Sequence, residues 1–474
     1  MTKQKHILRY GTNADKKYIQ DKSHYYDLLA INGNMLAYTP GALAGFIREN
    51  LLNKPDKGFF IDPITHSFQH SLDKIKSKSK NENEKTLKLS IANLIDQYGE
   101  PLTSIIKEPE ESENNKGRPI RPEDFAGHEE SFCKNVIDFQ LNEIKNKNEE
   151  KGFLKYLDEM DDQLDDFEPE FVTPPYFYLN ESNYKKWLEL NIDFIKIAKN
   201  EYPNINIYAQ LTVSQDIFIS ESMREDIIAK YKNLNIEGIL LWIDDFNEHE
   251  ASKTMLEIYL KMIKDLNDNL NIYNLYGSFF STILTGFNDE LSFNISGVGH
   301  GMAYGEHRAV VPVGGGIPSS KYYYYPLHKR LKFEIAQEYI KSHVIDKSSG
   351  NESDKVSRYF EEICACPKCK EIIDDNIDNF FEFQSTKTYE YKVKGVKRRR
   401  TYPGQQTKEN CLIHYLESKI KEFNEIELVN INDLIEDLRY NFNVYEDYKH
   451  QDYESLSYLK IWASVLESEM NKDD

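Results

Sequence analysis

The stretch "YDLLAINGNMLAYTPGALAGFIRENLLNKPDKGFFIDP", residues 26–63, decides how the rest of this chain is read. "YDLLAINGNMLAY" (26–38) reads as a buried strand. "TPGALAGFIRENLL" (39–52) reads as a helix, with Thr39 as N-cap and Pro40 at its first position. "GFFIDP" (58–63) is a second short strand ending in Asp62. Strand, helix, strand is the opening of a parallel α/β fold.

The rhythm breaks over 67–168, where the runs "KIKSKSKNENEKT", "KEPEESENNKGRP" and "DEMDDQLDDFEPE" surround amphipathic helical pieces. This reads as a charged helical insertion whose charges face solvent. It resumes at 171. "FVTPPYFYL", "INIYAQLTV", "EGILLWIDDF", "NIYNLYG", "LSFNISGVG" and "RAVVPVGG" follow as strands with helices between them, and "LHKRLKFEIAQEYIKSH" closes the series. With the two N-terminal strands the count reaches eight, so the expected fold is a TIM (β/α)8 barrel, in which residues at strand C-terminal ends face the active site. The expected division is 1–66 for the first two strands, 67–168 for the insertion, 169–345 for the rest of the barrel and 346–474 for a C-terminal module. A doubly wound open sheet fits less well, because "INGNML" does not supply a Gly-rich first turn.

Of the five cysteines, four (Cys364, Cys366, Cys369 and Cys411) cluster late in the chain. Cys364, Cys366 and Cys369 form C-x-C-x-x-C, a loop able to wrap three thiolates round one zinc ion. A fourth ligand is expected from "KENCLIHYLESKIKEF", where Cys411 and His414 stand at i and i+3 on one helix face; Cys411 is preferred, with His414 second. A closed four-ligand zinc is structural.

The chain carries 59 basic against 79 acidic residues, a net charge of −20, which speaks against an all-over nucleic-acid coat but not against a local patch. "KVKGVKRRRTY" (392–402) is such a patch. Lys397, Arg398, Arg399 and Arg400, with Tyr391 and Tyr402 beside them, suit phosphate contacts; a solvated hairpin is the plainer alternative. The N-terminal stretch "MTKQKHILRYGTNADKK" is polar and no apolar run approaches a membrane span, so a cytoplasmic protein with reduced thiols is expected.

A strand-helix barrel followed by C-x-C-x-x-C and a helix resembles the tRNA-guanine transglycosylase family and its DNA-modifying 7-deazaguanine relatives, loosely over residues 26–440. "FFIDPITHSFQ" (59–69) resembles that family's early strand ending in an active-site Asp. "GVGHGMAYGEHR" (297–308) resembles its Gly-rich loop at the base pocket, and "CLIHYLESKIKEFNEIELVNINDLIEDL" (411–438) its helices after the cysteines. The resemblance implies exchange of a purine base in nucleic acid. Two features depart from it. Asn430 stands where the family's zinc histidine would fall, and "GGGIPSSKYYYYPLHKR" (314–330) has no Asp where the family's nucleophile would stand. The alternative is therefore a catalytically inactive barrel that binds nucleic acid or a protein partner in a larger assembly.

Base exchange needs a carboxylate near the sugar carbon and an acid/base for the purine proton. Asp62, Asp245 (taken as the inward member of Asp244–Asp245) and His66 are the catalytic candidates. Gln210 is placed to read a base edge, and Gly297, Gly299 and His300 are placed in the loop after the seventh strand. Each has a plainer structural reading, as a helix cap, a hydrogen-bonded core histidine or a tight turn.

Overall fold

The computed structural model describes residues 4–11, 16–20, 22–51, 54, 56–78, 85–112, 116–149, 168–267, 270–291, 293, 295–302, 305–311, 321–393, 395–446 and 455–472. Seven strands build one parallel sheet: β1 (Lys5–Tyr10), β2 (Leu28–Asn32), β3 (Gly58–Asp62), β4 (Tyr208–Val213), β5 (Gly238–Ile243), β6 (Asn271–Asn274) and β7 (Gly297–Gly301). Their order is β3-β2-β1-β7-β6-β5-β4. Among the described residues no helix is long and apolar enough to cross a membrane.

The sheet is curled, and side chains alternate between two cores. Ile7, Leu28, Ala30, Phe60, Tyr208, Leu240, Trp242 and Tyr273 meet on the inner face. Leu8, Leu29, Ile31, Ile61, Leu211, Leu241, Ile272 and Val298 point outward into the larger core under the helices. Burial on both faces is why the strands read as continuous apolar runs.

Segment 170–179 joins the two sheet edges. Glu170 donates its amide to the Phe59 carbonyl on the β3 side (2.9 Å), and Val172 and Leu179 bridge to Ile207 and Val213 on the β4 side. Phe171 stacks between Phe60 and Tyr208, with ring centroids 4.8 and 4.0 Å away. A regular ladder is impossible here, because Pro174 and Pro175 lack N–H donors. Side chains satisfy the backbone instead. The Gln140 amide bonds both N and O of Thr173, and Asn191 does the same for Phe177. Gln69 bonds both groups of Tyr178, and the Thr65 hydroxyl bonds both groups of Tyr176.

Several expectations change. The N-terminal stretch read as polar contains β1, so three strands, not two, lie within 1–66. The first expected strand is shorter: after β2 the chain turns into helix Gly33–Tyr38. Helix Pro40–Leu51 begins at Pro40 as read, but the Thr39 hydroxyl donates back to Met35 rather than capping forward. "RAVVPVGG" forms no strand over its described residues 308–311, and 312–315 lie outside them. The insertion is less peripheral than its charge implies. Its helix Glu129–Glu149 buries Phe132, Val136 and Ile137 and packs between helices Pro40–Leu51 and Tyr184–Glu201. Most of the acidic run 158–170 lies outside the described residues.

Beyond the sheet come β8 (Tyr322–Tyr324), which pairs with β9 (Lys329–Leu331), and the ribbon of β10 (Thr386–Val393) with β11 (Val396–Pro403). Helices Gln405–Ile426, Ile431–Tyr445 and Ser457–Met470 complete the chain. Helix Gln405–Ile426 meets the sheet's outer face through Tyr415 on His300 and Phe423 on His6, beside a buried ion network. Lys419 sits between Glu422 (2.7 Å) and Glu306 (3.3 Å), and Glu422 also bonds His328 (2.7 Å).

Inner-face glycines make one close approach testable. A Cβ on Gly299 would lie 2.6 Å from the Leu275 carbonyl oxygen, a backbone atom that cannot swing aside. Gly299→Ala is expected to lower stability by about 1–3 kcal/mol, the usual cost of overpacking. Urea unfolding reads it; an unchanged midpoint would show that the β6–β7 approach has slack.

Candidate functional site

β1, β2 and β3 end side by side, and their last inward residues are polar. Arg9 Nη2 meets Asp62 Oδ2 at 2.7 Å and Asn32 Oδ1 at 3.0 Å. Asp62 is fully buried; its Oδ1 accepts from the Tyr176 hydroxyl (2.7 Å) and the Ile64 amide (3.0 Å). Burial alone raises the Asp62 carboxyl, but the Arg9 charge, His66 and the hydrogen bonds from Arg9 and Tyr176 outweigh it and hold it below the usual carboxylate range. Ile64 has φ +48°, a left-handed conformation that strains a β-branched residue and turns the chain sharply after Pro63. That turn brings His66 back against the Tyr176 ring (5.2 Å) and edge-on to Trp242 (5.3 Å). Burial pushes the His66 imidazole down to about 3, against the opposing pull of Asp62, so it is neutral.

Tyr276 and the 308–310 segment complete the wall. Arg9 lies over the Tyr276 ring at 5.0 Å, and Trp242 packs on it at 4.9 Å. Arg308 donates to the Tyr276 hydroxyl (3.2 Å), and the Trp242 indole donates to the Arg308 carbonyl (3.0 Å). Gln210 lies on the inner face of β4, its amide donating to Thr212 Oγ1 (3.3 Å). Among the described residues, Arg9 Nη1, His66 Nδ1 and Gln210 Oε1 are buried without a hydrogen-bond partner. Each such atom costs about 1–3 kcal/mol if left unpaired, so a polar group brought to any of them would be stabilising there.

The remaining sequence candidates fall elsewhere. Asp244, not Asp245, continues the inward alternation of Leu240 and Trp242; it accepts from Tyr178 (2.8 Å) and the Val310 amide (2.7 Å). Asp245 takes a left-handed φ of +49° and turns outward, paired with the exposed His307 at 2.8 Å. Gly297 and Gly299 belong to β7 rather than to a loop. His300 faces away from the cleft, against His6 and Tyr415, because it sits one residue out of phase with those glycines. Arg9, Tyr176, Trp242, Tyr276 and Arg308 were not singled out from sequence. "KHILRY" has no apolar-polar alternation; its local strand signal is the run Ile7, Leu8 and Tyr10, with Arg9 two residues after Ile7.

The cysteines converge with His414, not Cys411. The ligand atoms of Cys364, Cys366, Cys369 and His414 lie within 4.8 Å of one another, and all four residues are buried. His414 Nδ1 stands 3.9, 3.3 and 3.3 Å from the three sulfurs. Tetrahedral bonds of about 2.3 Å to sulfur and 2.0 Å to nitrogen would put those edges at roughly 3.5 Å, so the cluster can hold a metal ion. His414 Nε2 meets the Tyr323 carbonyl at 2.7 Å, which leaves Nδ1 for the metal. The Tyr359 hydroxyl donates to Cys369 Sγ (3.2 Å). Cys411, on the same helix, points instead at the Phe383 carbonyl (3.5 Å).

On the ribbon, Lys397, Arg398 and Arg399 are exposed. Arg400 lies in β11 opposite Tyr389, and Lys394 lies outside the described residues. No family description, curated protein or solved structure matches this chain.

Two outcomes follow from this geometry. Asp62→Asn leaves Arg9 buried without its counter-charge and is expected to cost about 3–5 kcal/mol, so it is not the silent substitution a free catalytic carboxylate would allow. Because the folded Asp62 is held below its ordinary 3.8, its contribution is complete above that pH and is lost as pH falls through the lowered value. Denaturant unfolding of parent and variant at neutral and acid pH reads both; equal stabilities at neutral pH would remove the pair's structural role.

For the metal cluster, His414→Ala is expected to lose bound metal and Cys411→Ala to keep it, as read by elemental analysis of purified protein. Metal loss from the Cys411 variant alone would reassign the fourth ligand.

Proposed function

We propose that this chain is a transglycosylase-like enzyme on a (β/α)8 barrel, with segment 170–179 standing in for the eighth strand, and that it exchanges a purine base in nucleic acid for a 7-deazaguanine-type base. The observation that carries the reading is that Arg9 Nη1 and His66 Nδ1 are buried and unpartnered where Tyr176, Trp242 and Tyr276 pack about them, with Gln210 Oε1 unpartnered on the inner face of β4. Aromatic faces suit a flat ring, and a donor, a neutral imidazole nitrogen and an amide oxygen suit a purine edge. In the exchange the glycosidic C–N bond breaks, the departing base takes up a proton, and the incoming base gives one up as the new bond forms. Neutral His66 offers Nδ1 as a hydrogen-bond acceptor to the base, and ionised Asp62 holds Arg9 in place to donate to it. The cysteine–histidine cluster is assigned zinc in a structural role, since all four positions are filled by protein.

A second reading has its own support. Asp62 and Asp244, the inward carboxylates, are both fully engaged by protein donors, which suits a barrel that binds a base or nucleic acid without forming a covalent bond.

The deciding experiment incubates the protein with tRNA or DNA and isotope-labelled 7-deazaguanine, then digests to nucleosides for mass spectrometry. Label is expected in the nucleic acid, falling at least about tenfold for Gln210→Ala, which removes one base-edge hydrogen bond. Binding of the free base without incorporation would move the conclusion to the second reading.

A further inference from the structure

We propose that the β10–β11 ribbon grips a single-stranded segment of nucleic acid on the face that carries Tyr389, Tyr391 and Arg398. The nucleic-acid partner is shared with the proposed function, but the inference rests on a different part of the chain and a different observation.

The antiparallel register sorts the ribbon into two unlike faces. Directly opposed residues share a face. Tyr391 opposes Arg398 and Tyr389 opposes Arg400, while Glu390 opposes Arg399 and Lys392 opposes Lys397. The second face is partly neutralised, for Arg399 Nε bonds Glu390 at 2.9 Å. On the first face Arg398 makes no ion pair among the described residues, and beside it Tyr389 and Tyr391 are 54% and 42% exposed. Every ribbon residue whose side chain is described is exposed, so neither face is folded against the acidic body. An isolated two-stranded ribbon is marginal in water, and a chain of charge −20 has ample carboxylates to cover this patch. Exposed aromatics interleaved with uncompensated cations are what sequence-tolerant nucleic-acid binding uses: rings stack on bases and guanidinium groups meet phosphates.

Spacing favours a single strand over a duplex. Residues i and i+2 of a strand are about 6.8 Å apart, roughly twice the 3.4 Å rise per base within a duplex. Bases can meet both tyrosines only when they are unstacked from their neighbours, which a duplex resists.

Fluorescence anisotropy of labelled oligothymidylate and oligouridylate, against a duplex of the same length, tests this over a salt series. The parent is expected to prefer the single strands. Tyr389→Ala with Tyr391→Ala should weaken single-strand binding about ten- to a hundredfold, and Arg398→Ala should flatten the salt dependence by somewhat under about one unit of slope. These positions are exposed, so a thermal melt should not move. Binding unchanged in the double tyrosine variant, a duplex bound as tightly as the single strands, or no binding by the parent would each overturn the proposal. Anisotropy reads binding whether or not base exchange occurs, so failure here and failure of the exchange assay are separate results.

Discussion

Two consecutive prolines set the terms for the inner face of this molecule. Pro174 and Pro175 cannot donate to a ladder, yet the segment that holds them must link β3 to β4. The chain meets this by using side chains from its neighbours, Thr65, Gln69, Gln140 and Asn191, to satisfy the backbone on either side of the prolines. Freed from strict pleating, the segment delivers Tyr176 to Asp62 and Tyr178 to Asp244. The same Thr65 that holds Tyr176 lies in the short turn that carries His66, so backbone repair and site assembly are one event. It also gives the charged insertion a structural task, since Gln140 belongs to its long helix.

Helix Gln405–Ile426 performs a comparable double duty. His414 completes the cysteine cluster, and Lys419 and Glu422, about 8–12 Å further along the helix, form the buried network against Glu306 and His328. Burial alone would raise the Glu422 carboxyl, but Lys419 and His328 bring it down to about 2. Removing either charge from such a network exposes the other to an unpaid desolvation of several kcal/mol. A cysteine–histidine cluster able to hold a metal ion and a buried ion network lie on one helix, which packs against β1, where His6 stacks on Phe423.

Much of this was legible in the sequence, and what was not has identifiable causes. The strands at 208–213, 238–243, 271–274 and 297–301, Asp62 at a strand end and the three-cysteine loop were readable because each rests on a local pattern, whereas 171–179 and 308–311 form no strand. β1 escaped because its two inward or buried polar residues, Arg9 and His6, made "KHILRY" look like a solvated terminus; only the tertiary partners Asp62 and His300 explain their burial. "GVGHG" looked like a loop because glycine usually marks one, whereas here small residues are needed where β6 and β7 approach closely. The choices between Asp244 and Asp245, and between Cys411 and His414, were each decided by phase. A left-handed residue ended the first alternation at Asp245, and the rotation of one helix turned His414, not Cys411, toward the sulfurs.

The charge inventory of the cleft narrows what it can accept. Arg9 is answered by Asp62, His66 is neutral because burial disfavours its charged form, and Arg308 lies beside the Tyr276 hydroxyl across from the engaged Asp244. An anionic ligand would compete with Asp62 for Arg9 and strand a buried carboxylate; a cationic ligand would do the same to Arg9. Either exchange carries the desolvation penalty of an unpaired buried charge. A neutral ligand that offers an acceptor to Arg9 Nη1 leaves the Arg9–Asp62 pair intact and relieves that unpartnered atom. For the base exchange proposed above, the closed Arg9–Asp62 pair makes a neutral heterocycle the ligand class that displaces neither buried charge.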